Sequence, residues 1–187
     1  MNERKAGSAP DRELVRAGAR ALLVTAFVVY LALLAWIVLW KLQAPYLGSG
    51  ALREIKIVPY LPAGGDGGSG PLEVVVNVIL FIPVGAFLGL LAPSWRWWMH
   101  ALVLAGASLV LESTQYVMAI GSSDITDVID NTLGGVVGLG ILALLRRGST
   151  ARAETGMRRA LVIVTTIFAL AVVAFLLSPL RFHDPHV

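Results

Sequence analysis

Five apolar stretches of about twenty residues each dominate this 187-residue chain, at 21–40, 74–91, 97–118, 124–145 and 160–178. A helix needs about 20 predominantly apolar residues to cross a hydrocarbon core. Inside lipid every backbone N–H and C=O must be satisfied within the spanning structure, so runs of this length read as helices. The expected fold is therefore all-α: a polytopic membrane bundle of five transmembrane helices. Only 14% of the residues are charged and 57% are hydrophobic, against roughly 25% charged in a soluble domain. Cysteine is absent, which excludes disulfides, thiolate catalysis and cysteine-ligated metals.

The first run is longer than the 7–15 apolar residues of a signal peptide, and no small-x-small cleavage site follows it. It reads as a membrane helix, with Trp36 and Trp40 as aromatic anchors at its far end. Eleven of the fifteen Lys and Arg residues fall in segments on one side of the expected topology; Lys41, Arg53, Lys56 and Arg181 fall on the other. The positive-inside rule then places the N-terminus in the cytoplasm and the C-terminus outside, in a multi-pass membrane protein. The expected organisation is a basic cytoplasmic tail at 1–20, with a short helix starting near Pro10. Next comes a membrane domain at 21–145, four spans with an outer loop at 41–73. A basic loop, the fifth span and a short outer tail complete it at 146–187. Within the outer loop, ALREIKIVPYLP (51–62) reads as a short interfacial helix ended at Pro59. GGDGGSGP reads as a flexible connection. The net charge of +3 accompanies no base-reading motif, so nucleic acid is not an expected partner.

The polar residues of 112–131 stand out against this background. Glu112, Gln115, Asp124, Asp127, Asp130 and Asn131 lie inside or at the edge of the third and fourth runs. A carboxylate at mid-membrane costs about 2.5–3.5 kcal/mol on insertion scales, so it marks a pairing or a function. Asp124, Asp127, Asn131, Gly134 and Gly138 step by 3, 4, 3 and 4, which is one helix face. Ala105, Ser108, Glu112, Gln115 and Ala119 repeat that spacing, and Asn77, Phe81, Gly85 and Gly89 step by four. Each stripe is polar toward the outer end and small toward the inner end. The expected consequence is tight packing of the inner halves at Gly85, Gly134 and Gly138, with the outer halves splayed around a polar pocket. Its candidate residues are Asn77, Glu112, Gln115, Asp127 and Asn131, with Asp124 and Asp130 secondary.

Plainer roles compete for several of these. Asp124 suits a helix N-cap, with Asp127 in a capping-box-like position. Gln115 and Asn131 suit interhelical hydrogen bonding. Glu112 has no Lys or Arg in any span to pair with, which leaves hydrogen bonding to Asn77 and Gln115, a neutral form, or a bound cation or ligand. His100 reads as interfacial, and His183 with His186 as part of a mobile tail. No Ser-His-Asp or HExxH arrangement exists. No cofactor or metal site is expected, although carboxylate and amide oxygens are the ligands a hard divalent cation prefers.

Three motifs in order, NVILFIPVG at 77–85, ESTQ at 112–115 and DITDVIDNTLGGVVG at 124–138, resemble the VanZ-like family. These are membrane proteins associated with teicoplanin resistance. The resemblance covers about residues 55–145 and implies that the family's polar positions fall on Asn77, Glu112, Gln115, Asp127 and Asn131. It also implies a glycopeptide-resistance-related role. One departure is visible: the family carries an Arg a few residues before the first Asp, where Gly121 or Ser122 stands here.

The resulting expectation is an outward-facing acidic pocket that recognises a cell-envelope precursor, a lipid head group or a glycopeptide. A membrane enzyme using the carboxylates on a lipid-linked substrate is a second reading. A structural or assembly subunit, in which Glu112 and Asp127 are fully satisfied by neighbours, is a third.

Overall fold

The computed structural model describes residues 9–40, 46–47, 55–56, 58–60, 70–121 and 123–178. Five long helices account for most of these: α1 (Ala9–Trp40), α2 (Pro71–Leu91), α3 (Trp97–Met118), α4 (Ile125–Arg146) and α5 (Thr150–Leu177). All five are long and apolar enough to cross a membrane. Large apolar side chains such as Leu102, Val110, Ile167 and Leu170 point outward. A soluble monomer avoids contiguous apolar surface of this kind, whereas lipid tails solvate it. The basic segment 1–8, residues 63–69 of the glycine-rich connection, and His183 and His186 lie outside the described residues.

Two helices are longer than their apolar runs. α1 begins at Ala9, so the second half of the basic segment continues the first span without a break. α5 begins at Thr150, ten residues before its apolar run. Ala, Arg, Glu and Met in these extensions are good helix formers, and a helix need not stop where hydropathy falls.

A departure from expectation lies in the segment between α1 and α2. The described part of 51–62 contains no helix: β1 (Ile55–Lys56) pairs in parallel with β2 (Ser123–Asp124), in the register Ile55 with Ser123 and Lys56 with Asp124. β-Branched residues around this position favour extended backbone, and Pro59 disfavours a helical residue before it. This two-residue pairing is the only sheet among the described residues. It ties residues 55–56 to the start of α4.

The tightest helix pair is α2 with α4, which run in the same direction. Added Cβ atoms at Gly134 and Gly138 would overlap the carbonyls of Val78 and Ile82, and one at Gly85 the carbonyl of Gly135. Only glycine permits this backbone approach. Gly135 turns its other side to Leu104 of α3. Around this crossing sits the apolar core, with Leu23, Tyr30, Phe81, Phe87, Leu104, Leu142 and Leu161 buried together. α2 continues through Pro83, and nearby the Tyr30 hydroxyl donates to the Leu80 carbonyl at 2.8 Å.

Candidate functional site

The fold gathers the polar residues at one end of the bundle: the N-termini of α2 and α4, the C-terminus of α3, and the loop carrying Tyr60. The α3–α4 turn fixes their register. Ala119 adopts φ 56°, ψ 34° and closes α3 in the left-handed conformation, a position that glycine usually takes. Asp124 then starts α4 as its N-cap, its carboxylate accepting from Thr126 N at 2.8 Å.

Glu112 is 1% exposed. Its Oε2 accepts from the backbone N–H of Asp124 at 2.8 Å. In a capping box the N3 side chain of the same helix takes that N–H; here α3 supplies a carboxylate. Asn131, also 1% exposed, donates from Nδ2 to Ser108 Oγ at 2.8 Å. The two α3–α4 contacts therefore lie about one turn apart on α3 and about two turns apart on α4. Asn131 meets Ser108 rather than Glu112, which lies one turn further along α3.

The other expected partners also differ. Asn77 Nδ2 donates to Asp127 Oδ1 at 2.8 Å, not to Glu112. Gln115 Nε2 donates to the Val38 carbonyl at 2.8 Å, which anchors α3 to the end of α1. The Asn77–Asp127 bond sits beside the Val78–Gly134 approach. The halves of α2 and α4 that carry these residues, expected to splay, are thus closed against each other.

Asp130, off the main stripe, is 1% exposed and accepts from the Tyr60 hydroxyl at 2.8 Å. Tyr60 N also donates to Thr126 Oγ1 at 3.1 Å. Tyr60 holds φ 59°, a conformation costing about 1–2 kcal/mol for a residue with a Cβ; two bonds to α4 hold it there. Donation to the Asp130 carboxylate raises the Tyr60 pKa above its usual value of about 10. Ser108, Thr126 and Tyr60 were not among the candidate residues. Ser108 shares the stripe of Glu112 and was legible on that ground; Tyr60 carries no signal in the sequence.

Four buried side-chain atoms at this end have no hydrogen-bond partner among the described residues: Glu112 Oε1, Gln115 Oε1, Asp130 Oδ2 and Asn131 Oδ1. All are oxygens and accept. The Gln115 orientation is fixed because the Val38 carbonyl cannot donate. Among the described residues no three His, Asp or Glu side chains group as a metal site. Gly121 lies beside Gln115, whose side-chain atoms would stand 3.6–3.9 Å from an added Cβ; Ser122 lies outside the described residues.

A sequence profile of the VanZ/LLP1 family matches residues 27–146, which span α1 to the last residue of α4. The chain belongs to the VanZ/LLP1 family. Protein VanZ of Enterococcus faecium is 36% identical over 118 residues, covering 62% of this chain and 70% of that protein. No solved structure matches. Kinship and five membrane-length helices make this VanZ/LLP1 chain a bacterial membrane protein. The matched region contains every polar residue of this end; α5 lies beyond it and packs on α1 and α4.

Proposed function

We propose that the polar end of the bundle recognises a cationic or hydrogen-bond-donating group of a cell-envelope component at the outer face of the membrane. A lipid-linked precursor, a lipid head group or a glycopeptide supplies such a group, and kinship with VanZ favours a role related to glycopeptide resistance. The carrying observation is the set of four buried acceptor oxygens without a partner among the described residues, on Glu112, Gln115, Asp130 and Asn131. A buried acceptor left unmade costs about 1–3 kcal/mol, more when charged. Donors or a positive charge from a ligand would offset that cost. The outer placement rests on the Lys/Arg asymmetry of the sequence. A purely structural role fits less well, because it requires Glu112 to be fully satisfied and its Oε1 is not.

The test compares Glu112→Gln and Asp130→Asn with wild type. Glycopeptide susceptibility is measured in cells, and binding of a glycopeptide and of lipid-linked envelope precursor on the purified protein. Both variants should lose resistance and binding while the protein stays folded, with any loss in the thermal melt below about 1.5 kcal/mol. Wild-type behaviour from both would sink the reading.

A further inference from the structure

The opposite end of the bundle carries a second site of reversed charge. A cavity of about 1420 Å³ opens between the start of α1, the α2–α3 turn and the start of α5. Arg16, Arg20, Arg158 and Arg159 line it. Arg16 and Arg20 are one turn apart on a single face of α1, where like charges repel. Arg158 and Arg159 bring two more positive charges from α5. Glu154 is the one acid in the lining, and its carboxylate is taken by Arg146 at 2.8 Å. None of the four lining arginines has an ion-pair or side-chain hydrogen-bond partner among the described residues.

Apart from Ser94 and Thr155, the rest of the lining is largely apolar. Leu22 and Leu91 face the cavity beside Val162 and Ile163. Arg20 directly precedes the apolar run of α1, and Arg159 that of α5. Both guanidiniums therefore stand where hydrocarbon gives way to head groups. Trp95, 41% exposed, lines the cavity at the same level, a place tryptophan favours.

We propose that this cavity binds a phosphate-bearing anionic lipid of the leaflet it faces, with the phosphate on the arginines and the acyl chain against the leucine and β-branched wall. Guanidinium pairs bidentately with phosphate. Basic pockets between membrane helices on the cytoplasmic side suit such head groups. A soluble anion would have no use for the apolar wall, which is why a lipid is the occupant. The site is independent of the polar end, and its test does not depend on that reading.

The experiment uses delipidated full-length protein in a neutral detergent, with bound lipid counted by native mass spectrometry. It is titrated with phosphatidylglycerol, with phosphatidylcholine and with inorganic phosphate. Retention of phosphatidylglycerol at concentrations where phosphatidylcholine is lost is expected, without displacement by millimolar phosphate. Arg20→Gln combined with Arg159→Gln should weaken phosphatidylglycerol binding about tenfold or more. Arg147→Gln combined with Arg152→Gln, outside the cavity lining, should leave it within about twofold. Equal retention of phosphatidylcholine by the wild type overturns the proposal whatever the variants do. Displacement by phosphate makes the site one for a soluble anion and overturns it as well. Equal weakening by both double variants assigns the effect to overall basic charge and also overturns it.

Discussion

The two ends of this bundle handle charge in opposite ways. At one end the carboxylates are buried and bonded inward: Glu112 to the Asp124 backbone, Asp127 to Asn77, Asp130 to Tyr60. At the other, Arg16, Arg20 and Arg159 stay exposed, and their guanidiniums reach no protein partner among the described residues. Side-chain length is the cause. Arginine buries its stem and carries its charge to the interface, whereas aspartate and glutamate cannot reach and must find donors between helices. Acids therefore organise the backbone of the turn and helix starts around them, and arginines leave the fold indifferent to their presence. The carboxylate end is structure and candidate site together; the arginine end is surface laid over a fold made by others.

That contrast can be broken or sharpened by substitution, starting with the crossing that holds the two ends together. Gly85→Val places atoms where the Gly135 carbonyl stands, and backbone on both sides cannot yield. A loss of about 3 kcal/mol or more is expected, with reduced membrane accumulation, read by thermal denaturation in detergent and by expression level. Glu112→Ala strands the Asp124 N–H in a buried position and should cost about 1–3 kcal/mol. Glu112→Gln keeps an acceptor there and should cost less than half as much; equal losses would show that the hydrogen bond to Asp124 is not what Glu112 contributes. Asp124→Ala removes the α4 cap and should cost about 1 kcal/mol in the same melt.

Tyr60→Phe removes the hydroxyl bond to Asp130 from an exposed side chain, and a loss below about 1 kcal/mol is expected. The pH dependence follows from the raised pKa of Tyr60. Below the unfolded value, about 10, the neutral hydroxyl donates and its contribution is fully present. As pH rises through the higher folded value that contribution is lost. The difference in stability between wild type and Tyr60→Phe should therefore shrink only above about pH 10; absorbance titration of the phenol gives the pKa directly. At the other end, Arg16→Ala should leave the melt within about 0.5 kcal/mol. A larger loss would mean the arginine end supports the fold after all.

Much of this was legible before any coordinates. α3 occupies the expected 97–118, and α4 starts one residue from its expected position with Asp124 as its cap. Gly85, Gly134 and Gly138 do make the close helix approach. Partner identities were not legible. Spacing put Glu112 and Asn131 on facing stripes, but the left-handed Ala119 and the α3–α4 turn set a register that gives Asn131 to Ser108. Tyr60 belongs to a strand-and-turn segment that reads as helix from hydropathy, and it reaches Asp130 from 70 residues away.

Sequence by itself determined that the chain is a membrane bundle, how many helices it has, and which faces carry polar and small residues. Those properties are local: the length of an apolar run, the periodicity of a helix and the chemistry of a cap act within a few turns. Only the tertiary structure decided which oxygen meets which donor, which acceptors are left without one, and that four arginines from two helices border one cavity. Each of those depends on crossing angles and register between segments distant in the chain, where a shift of one residue exchanges every partner.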